Sequence, residues 1–349
     1  MINLNFETFE PAIQQQLREI PLSGVIHVSH NGKPIFSHAY GYANRSESIP
    51  NRLNTRFGIA SGGKLFTATA IAQLVQQGKI SFNQVLVDFL DGELPQISPK
   101  VTLRHLLSHT SGVPDYFDES ILDDYEAYWL DKPVYRMLSA KDFFPLIANL
   151  PMQSTPGEKF NYNNMGFVLL GYIVEKVSGQ RFQDYIEEKI FGPAWMRSSG
   201  YYFNNRLPEH VALGYIEEKD GSWHTNQFAL PIVGHGDGGV YTTAADYGRF
   251  WKAFFEMRYF KDEILQEMLK PNVPVSKDGI SQYGLGIWIN DIAPTRCYYV
   301  TGEDPGVNFY SAVYPEVNLQ ITILGNSNDA VWPLSKVIRA EIFGLTKSD

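Results

Sequence analysis

Gly24-Val-Ile-His-Val-Ser29 and Pro34-Ile-Phe-Ser-His-Ala-Tyr40 flank His30-Asn-Gly-Lys33. Asn-Gly between two β-rich runs is the strongest short-range hairpin signal, because both residues tolerate the positive φ of a tight turn. The far end of the chain mirrors this start. Arg296 to Thr301, Val307 to Val313 and Leu319 to Leu324 are also β-rich. The turn residues Gly302-Glu-Asp-Pro-Gly306 and Pro315-Glu-Val-Asn318 separate them. Residues 5–20 set Phe6, Phe9, Ile13, Leu17 and Ile20 at three- and four-residue spacings, the mark of an amphipathic helix, and a last helical pattern runs from Val331 to Phe343. Between these ends the pattern is helical: Lys64 to Gln77, Leu103 to Ser108, Ala140 to Leu150, Met165 to Val177, Phe182 to Ile190 and Ala245 to Glu256. Strands at both ends with a helical block between them predict an α+β fold with one antiparallel sheet built from both termini. The chain then reads as a single composite domain over 1–349, an α/β lobe from about 1–60 and 240–349 and a helical lobe from about 61–239. A cleft between lobes is a usual place for a site.

Composition narrows the class. Of 349 residues, 44% are apolar and 14% aromatic, ample for a sizeable core, which excludes a disordered or fibrous chain. With 29 Lys plus Arg against 38 Asp plus Glu, the net charge is −9. Binding to nucleic acid or an anionic membrane needs a basic surface, so no nucleic-acid partner is expected. The single cysteine, Cys297, excludes an intramolecular disulfide and a cysteine zinc cage. No apolar run approaches the roughly 18 residues of a transmembrane segment. Met1 to Pro11 carries Glu7 and Glu10 and no basic, then apolar, leader pattern, so a cytoplasmic protein is expected, with a trimmed exported protein as the alternative.

The chemistry concentrates in Phe57-Gly-Ile-Ala-Ser-Gly-Gly-Lys-Leu-Phe66, where Ser61 and Lys64 stand three residues apart. If a helix begins at the serine, both side chains share a face. A serine hydroxyl is a poor nucleophile until a partner takes its proton, and a lysine can do so once its surroundings favour the neutral amine. A helix N-terminus adds backbone N–H groups for an oxyanion. Two other readings compete. Gly58 to Lys64 nearly spells a phosphate-binding loop, but Leu65 stands where Ser or Thr would hold magnesium. A plain serine cap fits the helix, yet Gly62 and Gly63 each weaken a first turn by about 1 kcal/mol, so something must approach this backbone closely.

Two further stretches bear on the site. In Pro156-Gly-Glu-Lys-Phe-Asn-Tyr-Asn-Asn164, Tyr162 would supply a phenol and Asn164 an amide, against a structural alternative in which Asn163 or Asn164 caps the next helix. In Leu103-Arg-His-Leu-Leu-Ser-His-Thr-Ser-Gly112, His105 and His109 have metal-pair spacing, but the glutamate of a zinc hydrolase is absent, and a helix-end role for His109 fits better. No Gly-x-Ser-x-Gly elbow occurs, which argues against an α/β-hydrolase. His235-Gly-Asp237 reads as a buried, hydrogen-bonded structural pair, against the alternative that it reaches the edge of the cleft.

Taken in order, Phe57-x-Ile-Ala-Ser-x-x-Lys64, His105-Leu-Leu-Ser-His-Thr-Ser-Gly112, Phe160-x-Tyr-x-Asn164 and Gly238-Gly-Val-Tyr-Thr-Thr-Ala-Ala-Asp246 resemble the serine β-lactamase and penicillin-binding-protein-like superfamily. The branch most like it holds class C β-lactamases, D-alanyl-D-alanine carboxypeptidases and family VIII esterases. The resemblance implies a β-lactamase/transpeptidase-like fold, with a five-stranded antiparallel sheet flanked by the terminal helices. It also implies Ser61 as acylated nucleophile, Lys64 as general base, Tyr162 as proton shuttle and Asn164 as a substrate-orienting amide. The family's third motif falls on Val300-Thr301-Gly302-Glu303, so these would border the substrate, with the backbone N–H groups of Ser61 and Glu303 as the oxyanion hole. No metal or organic cofactor is implied.

One departure shapes the substrate argument. Val300 stands where the family carries a cation that helps hold a substrate carboxylate, and Glu303 and Asp304 follow it. β-Lactams and D-alanyl peptides end in carboxylates, so the expected substrate is a small-molecule or short-peptide ester or amide, with weak or absent β-lactam turnover. The alternative is a non-catalytic penicillin-binding-like sensor that keeps the pocket. Residues 115–131 hold seven acids and no Lys or Arg, interleaved with Tyr116, Phe117, Tyr125, Tyr128 and Trp129. This reads equally as a lid favouring cationic substrates or as a solvated acidic loop. Oligomeric state is not legible.

Overall fold

The computed structural model describes residues 5–118, 125–292, 295–327 and 329–345. The hairpin forms where Asn-Gly predicts it. Strand β1 (Gly24–His30) turns through Asn31 and Gly32, at φ 51° and 71°, into β2 (Lys33–Tyr40). The remaining strands of the sheet are β3 (Val273–Pro274), β4 (Ser281–Tyr283), β5 (Trp288–Ile292), β6 (Thr295–Asp304), β7 (Val307–Tyr314) and β8 (Leu319–Gly325). They lie in the order β2-β1-β8-β7-β6-β5-β4-β3, antiparallel throughout. The first strand thus pairs with the last, Gly24 opposite Gly325 and His27 opposite Thr322.

The sheet has eight strands where five were expected. The five are present as β1, β2, β6, β7 and β8. The three others extend one edge and run two, three and five residues, too short to set up an alternating pattern.

Alternation along β1 and β8 sends neighbouring side chains to two separate cores. Ile26 and Ile323 pack under helices α1 (Phe9–Glu19) and α5 (Val331–Phe343), with Phe9, Ile13 and Ile338. Val25 and Leu324 face the other way, into a larger core shared with α2 (Lys64–Gln76), α3 (Asn164–Ser178) and α4 (Ala244–Phe255). Full burial of each such aliphatic chain contributes about 1.5–3 kcal/mol, so the register is strongly specified. Two expected helices are broken. Ala140 to Leu150 becomes a 3₁₀ turn, Ala140–Phe143, and one short helix, Phe144–Ile147. The helix from Phe182 stops at Ile186 and passes through a π turn, Glu187–Phe191, ahead of Gly192-Pro193. Among the described residues no helix is long and apolar enough to cross a membrane.

Candidate active site

Ser61 lies in a 3₁₀ turn, Ala60–Gly63, that runs straight into α2. The helix therefore starts after the serine rather than at it, and the turn makes no side-chain cap. The two glycines are explained by what leans on them. A Cβ at Gly62 would sit 2.4 Å from the ring of Phe309 on β7, and one at Gly63 would sit 3.0 Å from Val240. From the sheet side, a Cβ at Gly302 of β6 would come within 2.1 Å of the Ile59 carbonyl. The close approach expected at this backbone is made by the sheet itself.

Lys64, 2% exposed, is the hub of the site. Its Nζ lies 2.8 Å from Ser61 Oγ, 2.8 Å from Asn164 Oδ1 and 2.8 Å from the carbonyl oxygen of Asp237. The Tyr162 ring covers the same nitrogen, 5.0 Å from its centroid. Two of these contacts are to neutral carbonyl oxygens and another is to the serine. The pairs Ser61–Lys64 and Tyr162–Asn164, about a hundred residues apart in sequence, thus share one locus.

Asn164 and Tyr162 are placed by the start of α3. The choice left open for the cap resolves to Asn163, whose Oδ1 accepts the Gly166 N–H at 2.6 Å. Asp115 sits beneath, accepting the N–H groups of Asn164 at 2.7 Å and Met165 at 2.9 Å. Burial pushes the Asp115 carboxyl up to about 7, against the pull of those two donors and of Lys64. His109, at φ 55°, takes the Asn163 N–H on Nδ1 and the Asn161 N–H on its carbonyl oxygen. Its ring lies against Tyr162, with centroids 4.3 Å apart. Burial, then Lys64, hold its basicity well below normal, so it is a neutral support. His105 is spent in a capping box with Thr102, and no group of three or more candidate metal ligands occurs among the described residues.

The third-motif segment runs along β6. Val300 is buried in the core shared with the helical lobe, Thr301 donates to the Phe309 carbonyl, and Glu303 is exposed. Gly302 abuts the serine turn. Of this segment and its flank, Asp304 lines the cleft, which also borders Ser61 and Asn164.

The expected His235–Asp237 structural pair is divided. Both line the cleft, but His235 is buried, whereas Asp237 is partly exposed and takes a 2.6 Å hydrogen bond from the Tyr116 hydroxyl on Oδ2. The acidic segment is likewise not uniform. Asp115 is a buried support, Tyr116, Phe117, Tyr125 and Trp129 line the cleft, and residues 119–124 lie outside the described residues. Sequence reasoning missed Asp115 and the Asp237 carbonyl. A backbone acceptor has no side-chain signature, but the run Gly234, Gly236, Gly238, Gly239 marks a tightly packed irregular segment that touches the serine turn at Gly238. A Cβ at Gly238 would meet the Ala60 carbonyl at 2.7 Å.

Comparison with known proteins follows this geometry. The Beta-lactamase family model matches residues 9–341. The crystal structure of a penicillin binding protein from Bacillus halodurans superposes with a TM-score of 0.89 at 44% identity, covering 94% of this chain and 99% of that one. The octameric penicillin-binding protein homologue from Pyrococcus abyssi gives a TM-score of 0.83 at 28% identity, over 98% and 78% of the two chains. Penicillin-binding protein 4* of Bacillus subtilis is 28% identical over 88% of this chain, which spans 68% of that protein's length. A family match over nearly the whole length, with the serine and lysine in contact, settles the kinship: this chain belongs to the beta-lactamase family and is a β-lactamase-like serine hydrolase.

Proposed function

We propose that the protein cleaves an ester, amide or short peptide through an acyl-enzyme on Ser61, and that carboxylate-bearing β-lactams are poor substrates. The observation that carries this is the hydrogen-bond set of Lys64. A neutral lysine amine has two N–H donors and one lone pair. On this reading the neutral amine gives its N–H groups to the Asn164 and Asp237 carbonyl oxygens and turns its lone pair to the Ser61 hydroxyl, whose Oγ lies 2.8 Å from Nζ. Lys64 then takes the serine proton as the Oγ–carbon bond forms. The proton passes, by way of Tyr162, to the leaving amine or alcohol as its bond to the carbonyl carbon breaks. Water attacks the ester so formed, releasing the acid and restoring Ser61. Backbone N–H groups of Ser61 and Glu303 hold the oxyanion, and Asn164 orients the substrate.

The substrate preference rests on charge. Val300 places an apolar side chain where the family's cation would stand, and the cleft wall carries Asp237 and Asp304. A bound carboxylate would face like charge without a counter-ion. Intact-mass spectrometry after incubation with a panel of esters, amides and β-lactams tests the proposal. Acyl mass gain with esters or amides, lost in Ser61→Ala together with fluorophosphonate labelling, is the expected result. Labelling that survives Ser61→Ala at the wild-type level removes Ser61 as nucleophile. Tight binding with no mass gain and no turnover assigns a sensor instead.

A further inference from the structure

The cleft beside Ser61 has a definite chemical character. Among its described lining residues the charged side chains are Asp237 and Asp304, with no lysine or arginine. Its one histidine, His235, is buried, and burial lowers its basicity. Five aromatic residues, Tyr116, Phe117, Tyr125, Trp129 and Tyr241, line it among glycine, aliphatic and amide residues. Aromatic faces and carboxylates both attract cations, and a cleft walled by low-dielectric side chains strengthens that attraction.

Asp237 is the best placed of these groups. Its own carbonyl oxygen holds Lys64 Nζ, so its side chain departs from the backbone that touches the reacting pair. Tyr116 fixes the carboxylate by donating to Oδ2 at 2.6 Å. Burial and the Asp237 charge keep that phenol protonated, so it remains a donor. The other oxygen, Oδ1, takes no hydrogen bond from any described residue. An oriented carboxylate with one open oxygen beside a nucleophile suits a charged hydrogen-bond donor.

We propose that Asp237, clamped by Tyr116, is the subsite for a protonated amine on the acyl portion of the substrate. The substrate class is then amino-acid amides, aminoacyl esters and peptides with a free N-terminus. This names the substrate of the hydrolase reading above and rests on it. The amine sits near the scissile carbonyl because Asp237 itself borders Lys64. Acyl transfer is unchanged: the Ser61 Oγ–carbon bond forms, the amide or ester bond breaks, and water later releases a free amino acid.

Binding and chemistry are separated in the test. Titration calorimetry on Ser61→Ala compares phenylalaninamide, each enantiomer in turn, with 2-methyl-3-phenylpropanamide, in which a methyl replaces the ammonium. At pH 6 at least one enantiomer is expected to bind about tenfold tighter than the neutral isostere, the scale of one charge-assisted hydrogen bond. The advantage should vanish at pH 9.5, where an α-amine with a pKa of about 8 is neutral. It should also vanish in the Asp237→Asn background and shrink in Tyr116→Phe. Equal affinities at pH 6, or an advantage that survives both pH 9.5 and Asp237→Asn, overturn the subsite. The pH arm needs no variant at position 237, so a misfolded Asp237→Asn does not remove the test. Intact mass and fluorophosphonate labelling of the wild-type chain report the hydrolase reading separately. Labelling without the affinity difference sinks the subsite alone, and the difference without labelling sinks the nucleophile assignment alone.

Discussion

Asp115→Asn isolates one buried carboxyl by its pH dependence. The folded chain holds this group at about 7 through burial, against 3.8 for the ordinary side chain. A raised folded value means that the folded chain grips the proton more tightly than the unfolded chain. The contribution to stability is therefore complete below about pH 4 and is lost as pH rises to 7. Each pH unit in that window is worth about 1.4 kcal/mol, so between pH 4.5 and pH 8 the loss approaches 3 kcal/mol. Asparagine is nearly isosteric and does not titrate. Its oxygen can accept only one side of the pair of N–H groups from Asn164 and Met165 that Asp115 now serves. An unserved buried donor costs about 1–3 kcal/mol. The variant should thus be less stable than wild type at pH 4.5, and the gap should close, or reverse, by pH 8. Urea midpoints of both proteins at pH 4.5, 6 and 8 measure it, and the other carboxylates cancel because they titrate in both chains. A gap that widens as pH rises would refute the reasoning. It would mean that the two N–H groups and the end of α3 hold Asp115 ionised in spite of its burial.

Other outcomes follow from the same packing. Asn163→Ala removes the cap on Gly166 and the donor to the Val113 carbonyl, and should lower stability by about 1–2 kcal/mol in urea unfolding. Unchanged stability would show the cap to be idle. Gly62→Ala should cost about 1–3 kcal/mol by overpacking Phe309, and the loss should be smaller in a Phe309→Ala background, where the ring is gone. Strictly additive losses in thermal unfolding would show that the ring and the turn do not press on each other. Lys64→Met should slow fluorophosphonate labelling of Ser61 by about 10²–10⁴-fold, as loss of a general base does. Labelling at the wild-type rate would remove Lys64 from that role.

The fold was legible where patterns are long. Asn31-Gly32 fixed a hairpin, and the three β-rich runs after Arg296 became three strands that join it. The edge strands Val273–Pro274 and Ser281–Tyr283 were not, since two or three residues carry no period. Within the candidate site, the three-residue spacing of Ser61 and Lys64 does bring the two side chains into contact, although the serine sits in a 3₁₀ turn ahead of the helix, closely packed on β6 and β7. Asp115 was read as part of an acidic loop. Sequence shows its charge, but only the three-dimensional neighbourhood shows that it lies under the first turn of α3.

The arrangement of acids around Lys64 ties these points together. A carboxylate in direct contact with Nζ would stabilise the ammonium and oppose its service as a base. Contacts at 2.8 Å include an amide oxygen, a peptide carbonyl and the serine itself. Asp115 sits one step back, its charge suppressed by burial and its oxygens occupied by backbone donors. Asp237 turns its backbone carbonyl to Lys64 and its carboxylate to Tyr116 and the cleft. One residue thereby presents a neutral acceptor to the base and a negative charge to the substrate. On the proposed mechanism this division lets the same acidic wall draw in an ammonium and turn away a carboxylate without locking the lysine in its charged form.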